Sequence, residues 1–456
     1  MVLRVAICGG GIGGLSLALI LKNFQASQPL TIDVYEAEST FSSVGAGITL
    51  WQRTRSIFAA LGLQLVLENR ALSPPLMLRK SDTKEPFTFD ELPVPYGSIA
   101  LPRAEMVQLL VECLEPNSTP GLAIHFAKRL SSYQQDGDGV TLHFADGSSA
   151  SADLLVGADG IGSAARRTMY ADIAERTSRS DPEKAAAVLE SARPTWSGTY
   201  AYRTLLPRER LQAVSPNNVM LGEAMIWCGS GKHVISYPIS PTIINILFYD
   251  TIPGGLGQPL SGPPVVSATK EEIVELYQDW EDDLCIAAEN IGEVSKWAIS
   301  HIRNLPQYAD GRVVLLGDSA HAMSTHFGAG AGQAIDDSYI LGRILTHPGV
   351  TTANLVDALK VYDAVRRPIA DDITERSLRT GFLYELHPDY VPAGTDLDKL
   401  RAGDPAELRR ITDEARRMSR FHWAEMPEQD WERARALLER QILGKEDGST
   451  LPRPEL

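Results

Sequence analysis

Apolar residues along this chain follow two periods. Leu3 to Cys8, the run that opens at Asp153, and Arg312 to Leu316 are short and almost continuously apolar. That is the habit of strands buried on both faces of a parallel sheet. Each ends in glycine, and the second and third continue into Asp159-Gly160 and Gly317-Asp318. Leu15 to Lys22 has helical spacing, Thr31 to Tyr35 reads as a further strand, and a helical pattern starts near Gln333. Between the second and third runs the period falls to two. Gly198 to Leu205, Val219 to Trp227, Lys232 to Ile239 and Ile243 to Tyr249 read as strands on short connections, which predicts an antiparallel meander. Asp181 to Ala192 reads as an added helix, and Gly254 to Val265, rich in Gly and Pro, as an exposed loop near a substrate entrance. Asp396 to Leu443 is a charged helical stretch with Phe421, Trp423 and Trp431 as apolar anchors.

Composition narrows the class. The 456 residues allow two or three domains or one large composite core. A net charge of −15 argues against nucleic acid or an anionic membrane surface as partner. The four cysteines form no CxxC pair, so zinc and dithiol chemistry are not expected, and no metal site is predicted. The longest apolar run, around Ile12 to Leu21, is half of the roughly 20 residues a membrane helix needs. Met1 leads straight into the first strand, so the expectation is no signal peptide and a cytoplasmic location.

Gly9, Gly11 and Gly14 make a G-x-G-x-x-G between a strand and a helix, and Glu36 closes the next strand about twenty residues on. That is the Rossmann arrangement: glycines for the turn, for pyrophosphate approach and for helix packing, and a carboxylate for a ribose. An NAD enzyme needs no Gly-Asp loop some 300 residues later. Here that loop is followed by Gly328 to Gly332, where backbone can lie close to a flat ring. The cofactor read from these intervals is FAD. No second fingerprint exists, so NAD(P)H is expected to bind only transiently.

With these motifs the chain resembles the group A FAD-dependent aromatic hydroxylases, in the salicylate hydroxylase-like branch that includes fungal phenol hydroxylases. The resemblance spans roughly residues 1–380. It rests on the fingerprint, on Val44 to Ile48, on Arg103 in its Leu-Pro-Arg setting, on Asp159-Gly160 and on Gly317-Asp318. It implies an α/β fold like that of para-hydroxybenzoate hydroxylase: a discontinuous Rossmann-type FAD-binding domain (1–75, 100–175, 295–380), an inserted, mainly antiparallel substrate domain (76–99, 176–294) and a helical C-terminal extension (381–456). It implies that Glu36 holds the adenosine ribose, that Gly45, Ala46 and Gly47 line the flavin, and that Arg103 reaches FAD. Asp159 would serve FAD and NAD(P)H, Asp318 the ribityl chain, and Gly330, Ala331 and Gly332 the ring. Relatives carry Pro just before the position of His326, whereas this chain has Thr325 and so lacks that restraint on φ.

In such relatives an Arg and a Tyr on matching strands bind and activate a phenol; here these are Arg203 and Tyr237. Alternation puts Thr199, Ala201 and Arg203 on one strand face and His233, Ile235 and Tyr237 on one face of another. Lowering a phenol pKa near 10 by about 2 units takes roughly 2.7 kcal/mol, and a nearby Arg shifts an acid by about 1–3 units. His326 is a further candidate for contact with substrate or flavin, while His321 is expected to support the fold. The expected activity is an NAD(P)H- and O2-consuming hydroxylation of a phenol or phenolic acid through a flavin C4a-hydroperoxide, with loss of CO2 or of aromaticity where the attacked carbon is substituted. Alternatives are an epoxidase of an isoprenoid or indole and a non-catalytic Rossmann-type binding protein, against which the intact Gly-Asp loop argues. The expected partners are a small aromatic molecule and O2, in a monomer or homodimer.

Overall fold

A computed structural model describes residues 2–24, 29–41, 47–64, 67, 70 and 72–444. The three apolar runs become neighbours in one six-stranded sheet, ordered Ala309–Asp310, Val313–Leu315, Leu154–Gly157, Leu3–Cys8, Leu30–Tyr35, Leu122–His125. All pairings are parallel except that of the two-residue edge strand. The helix Ile12–Asn23 is buried along most of its length because it lies between this sheet and the helix Gly330–Leu345. Ser338 Oγ donates to the Gly13 carbonyl at 2.9 Å, and a Cβ on Gly342 would collide with Ile20.

The second sheet has eight strands: Val265–Ala268, Val294–His301, Thr195–Pro207, Ile243–Thr251, Lys232–Pro238, Ala224–Gly229, Leu76–Lys80 and Phe87–Leu92. Two expectations need correction. Val219–Leu221 is a 3-10 turn, closed by the Asn218 side chain accepting from Met220 N, so the strand begins only at Ala224. The four central strands are also not a simple meander. The helix Arg208–Val214 carries the chain across the sheet, so Thr195–Pro207 pairs with Ile243–Thr251 rather than with Ala224–Gly229. The sheet also takes in Val294–His301 and, through Val265–Ala268, the end of the expected loop.

Both faces of this sheet are covered. Helices Lys270–Tyr277 and Asp282–Asn290 pack on the outer face with Trp227, Phe248 and Tyr277. The inner face shares a core with the helix Pro405–Ser419 through Leu408, Ile411 and Met418. The C-terminal stretch packs on its own chain: Trp431 is buried under the Arg343 guanidinium, 4.3 Å from the ring centroid. Arg53, itself buried, ties this region to the Rossmann part. Its Nε donates to Asp336 at 2.6 Å, its Nη1 to the Glu425 carbonyl at 2.8 Å, and its Nη2 to Asp430. Among the described residues no helix is long and apolar enough to cross a membrane, and no His, Cys, Asp and Glu group is arranged to hold a metal.

Removing Arg53 leaves buried Asp336 without its ion-pair partner and takes one of two cations from buried Asp430. Arg53→Ala should therefore cost about 3–5 kcal/mol and open the helix Pro427–Leu443 to protease, as read by denaturant unfolding and limited proteolysis; unchanged cleavage would show that the apolar anchors alone hold it.

Candidate active site

Between the carboxyl edge of the parallel sheet and the inner face of the eight-stranded sheet lies a cavity of about 550 Å³. On the first side the chain turns at Gly9, whose φ of +119° and contact with Ala158 leave no room for a Cβ: one would collide with the Ala158 carbonyl oxygen. A Cβ on Gly14 would collide with the Gly9 carbonyl in turn. Gly11 differs: a Cβ there would meet only Arg103 Nη2, 3.5 Å away. Gly11 caps the helix Ile12–Asn23 without a side-chain bond, so its first N–H groups are open to a ligand. Arg103 stands beside them and pairs with no carboxylate among the described residues. Asp318 projects into the cavity, exposed there but enclosed by protein, and burial raises its pKa. Its carboxyl accepts no hydrogen bond from protein among the described residues.

An unpaired guanidinium at an open helix N-terminus suits a pyrophosphate, and a carboxyl without a partner suits ligand hydroxyls. Gly47, Gly330 and Ala331 also line the cavity. Other expected cofactor residues are not among those that line this cavity. Glu36 accepts from Gly10 N at 2.8 Å and Glu38 N at 2.9 Å. Asp159 caps the helix Ala164–Ser178, accepting from Ser163 Oγ at 2.5 Å, Ala164 N at 2.7 Å and Ala165 N at 3.1 Å. Gly332 packs on Thr54, where a Cβ would sit 2.7 Å from Oγ1. Gly45 and Ala46 lie outside the described residues.

The other wall is set by strand register. Ile226 pairs with Ile235, Ile235 with Leu247 and Leu247 with Arg203, so this cross-strand row turns Arg203 and three apolar side chains to the cavity. Two residues along, on the same face, come Tyr237 and Tyr249. The Arg203 guanidinium lies over the Trp297 indole, 4.9 Å from its centroid, and pairs with no carboxylate among the described residues. Burial lowers its pKa, while Tyr249 and Tyr237 act the other way. Burial pushes the Tyr237 hydroxyl up to about 12 and Arg203 pulls it down, so the phenol stays a donor at neutral pH. Burial likewise raises Tyr249.

His326 lines the cavity on the loop after the short helix Asp318–His321. The neighbouring Thr325, where relatives carry Pro, gains a different restraint: its Oγ1 is 2.7 Å from the Tyr249 hydroxyl. Ser377 Oγ, donating to the Ser324 carbonyl at 2.6 Å, fixes the same loop. His321 is buried with Nε2 2.5 Å from Asp337. Burial would lower its pKa, but Asp337 outweighs this and raises it. Gly254–Pro264 does not contribute to the cavity; it folds against Trp196, whose carbonyl accepts from Gly257 N at 3.1 Å. Pro74, Val94 and Ser98 line the cavity instead.

Sequence reasoning missed Tyr249, Trp297, His233 and Glu385. Tyr249 was legible only as the last residue of a strand, and Trp297 lies on a strand, Val294–His301, that the sequence reading did not predict. Glu385 comes just after the helix Leu355–Tyr384, at the edge of the recognisable pattern.

Comparison with known proteins bears on this site. Salicylate hydroxylase of Pseudomonas putida is 32% identical over 410 residues, 87% of this chain and 89% of the relative. An FAD-dependent monooxygenase of Strobilurus tenacellus is 31% identical, covering 97% of this chain and 99% of the relative. A solved salicylate hydroxylase substrate complex superposes with a TM-score of 0.77 at 27% identity, over 95% of this chain and 98% of that one. The family described as "FAD binding domain" matches residues 2–241 and 261–377. The chain belongs to this family. It is an FAD-dependent monooxygenase of the group A aromatic hydroxylases. The helix N-terminus, Arg103 and Asp318 suit this cofactor, so the donor set and the family agree.

For this flavoprotein the Gly9 contact makes a direct test. Gly9→Ala must push the turn away from Ala158, and the purified variant should lose its FAD, seen as loss of visible absorbance; a yellow variant would show that the turn relaxes without harm.

Proposed function

We propose that this monooxygenase hydroxylates a salicylate-type substrate, an aromatic ring carrying a phenol and a carboxylate, at a carbon beside the phenolic oxygen. The observation that carries this reading is Arg203. A guanidinium stays charged at any accessible pH. Turned into a wall of apolar side chains, with an indole beneath it and only neutral tyrosines beside it, this one calls for an anionic partner from the ligand. An isoprenoid would leave it desolvated and unpaired, which disfavours hydrocarbon epoxidation. The substrate named for the Pseudomonas relatives points the same way.

FAD, reduced by NAD(P)H, supplies the activated oxygen when bound. Arg103 with the helix N-terminus at Gly11 would hold its phosphates, Asp318 a ribityl hydroxyl, and Gly47, Gly330 and Ala331 the ring. The protein's own residues then prepare the substrate. Arg203 favours the phenolate over the phenol, and the Tyr237 hydroxyl donates to the same oxygen. The negative charge makes the adjacent ring carbons electron-rich, and attack from one of them forms the new C–O bond. If that carbon bears the carboxylate, CO2 departs; if it bears an alkyl group, the ring loses aromaticity. The apolar wall of Ile226, Ile235 and Leu247 keeps water from competing.

The test is NAD(P)H oxidation by the holoenzyme across phenols and phenolic acids, with products identified by mass. Arg203→Ala removes about 2.7 kcal/mol of phenolate preference, so product formation should fall about 100-fold with FAD retained. Tyr237→Phe, losing one neutral hydrogen bond of about 1 kcal/mol, should cost roughly fivefold. Full activity in Arg203→Ala would transfer the anion-binding role elsewhere. Separately, Asp318→Ala should weaken FAD binding by roughly 10–100-fold, the worth of a charged hydrogen bond, measured by fluorescence titration of the apoprotein.

A further inference from the structure

His326 does not end at the cavity wall. Its Nδ1 is 3.2 Å from Nε2 of His233, and Nδ1 of His233 is 3.0 Å from Oε1 of Glu385. That oxygen also accepts from Thr251 Oγ1 at 2.9 Å, and Thr251 Oγ1 is 2.8 Å from Thr199 Oγ1. His233 and Glu385 are 0% and 1% exposed, so the connection runs through dry protein until half-buried Thr251. The rings cannot swing away. Tyr249 stacks on His233 at 4.3 Å and 6°, and Gly381 lies against the face of His326, where a Cβ would collide with the ring. Nε2 of His326 makes no hydrogen bond to protein among the described residues, which leaves it for the cavity. Oε2 of Glu385 is buried without a partner.

A chain of two imidazoles ending on a buried carboxyl exceeds what holding a loop requires. We propose that Glu385 acts through His233 and His326 as the acceptor of the substrate's phenolic proton, a positioning and relay residue remote from the reacting carbon. The proposal rests on the phenolic substrate argued above. With Glu385 ionised, His233 donates from Nδ1 to the carboxylate and His326 donates from Nδ1 to His233, leaving Nε2 of His326 as a base. The phenolic O–H breaks as the Nε2–H bond of His326 forms. The Nδ1 proton of His326 passes to Nε2 of His233, and the Nδ1 proton of His233 passes to Oε1 of Glu385. The products are a phenolate held by Arg203 and a neutral carboxylic acid; no electrons change owner. When the product oxygen takes its proton back from Nε2 of His326, the same three transfers run in reverse, so Glu385 returns to the carboxylate and both tautomers reset with the rings fixed.

The surroundings favour the carboxyl as the proton's resting place. Burial brings His233 down to about 3. Burial, then His233, holds His326 well below the usual imidazole range. Burial raises Glu385 well above the usual carboxyl range; the Thr251 hydrogen bond and His387 oppose this, and Asp250 adds to it. The other titratable groups facing the relay are Tyr249, Tyr384 and Tyr277, whose hydroxyl donates to the His233 carbonyl at 3.1 Å. All three are held neutral by burial.

The experiment tracks 4-nitrophenol ionising on the oxidised holoenzyme by stopped-flow absorbance, below the free ligand's own pKa. In the wild type the rate of nitrophenolate appearance should climb with pH along one titration, as Glu385 becomes ionised and able to accept. In Glu385→Gln that limb should vanish and the rate fall on the order of 100-fold, while FAD content, melting temperature and affinity for nitrophenolate at alkaline pH persist. Wild-type rate and pH dependence in Glu385→Gln would overturn the relay, as would an equal loss of alkaline affinity, which marks a structural role. If the variant loses FAD, the wild-type rate in H2O and D2O mixtures decides: three protons in motion give a curved dependence, and a straight line overturns the proposal. Phenol turnover with an unaffected Glu385→Gln rejects the relay alone; failure of the wild type to bind or oxidise any phenol rejects the substrate class with it.

Discussion

The register of three parallel strands governs everything at this site. Cys8 pairs with Gly157 and Gly157 with Leu315, so strands that lie about 150 residues apart in sequence end side by side. The turns at their carboxyl ends are thereby delivered to one edge: the glycine turn and open helix N-terminus after Cys8, the Asp159 cap after Gly157, and Gly317-Asp318 after Leu315. The contact of Gly9 with Ala158 locks two of these turns together. A slip of one residue in any strand would move its side chains to the opposite packed face and carry its turn out of line with the others.

Four arginines in this protein differ in how their charge is met, and the difference separates framework from function. Arg53 and Arg366 are matched inside the fold, Arg53 by Asp336 and Asp430 and Arg366 by Asp337 at 2.7 Å. Such pairs fix geometry, since losing one member strands a charge. Arg103 and Arg203 face the cavity with no carboxylate among the described residues. In a chain with a net charge of −15, leaving two guanidinium groups unmatched at one cavity lowers stability at a specific place. Arg103 stands by the dinucleotide turn and Arg203 on the opposite wall, the separation on which the proposed division between cofactor and substrate rests.

The eight-stranded sheet contributes by alternation. One face carries Arg203, Tyr237, Tyr249 and His233 inward, toward the cavity and the core beside it, and the other carries Tyr202, Trp227, Phe248 and Val234 into the outer core. Covering both faces makes the inner wall rigid, and the C-terminal helices supply part of that cover. Trp51, on the cavity, stacks on His422 at 4.1 Å, and Phe327 packs against Phe421 at 5.5 Å. The C-terminal stretch is thus part of the wall's support.

The family resemblance singled out Asp318, Arg203 and Tyr237, whereas the sequence by itself determined the strands of the parallel sheet and the glycine turn. Those depend on local period and on short motifs whose steric demands are written within about ten residues. Strand pairing beyond nearest neighbours was not legible, because the helix Arg208–Val214 redirects the chain by packing rather than by any residue signal. Nor was it legible that Glu36 and Asp159 accept hydrogen bonds from backbone N–H groups, since a carboxylate at a strand end looks the same whether it faces a ligand or caps a helix. Only the tertiary structure joined His326, His233 and Glu385. They come from a loop, a strand and the end of a long helix, and what couples them is low-dielectric burial and ring orientation, which no linear spacing records.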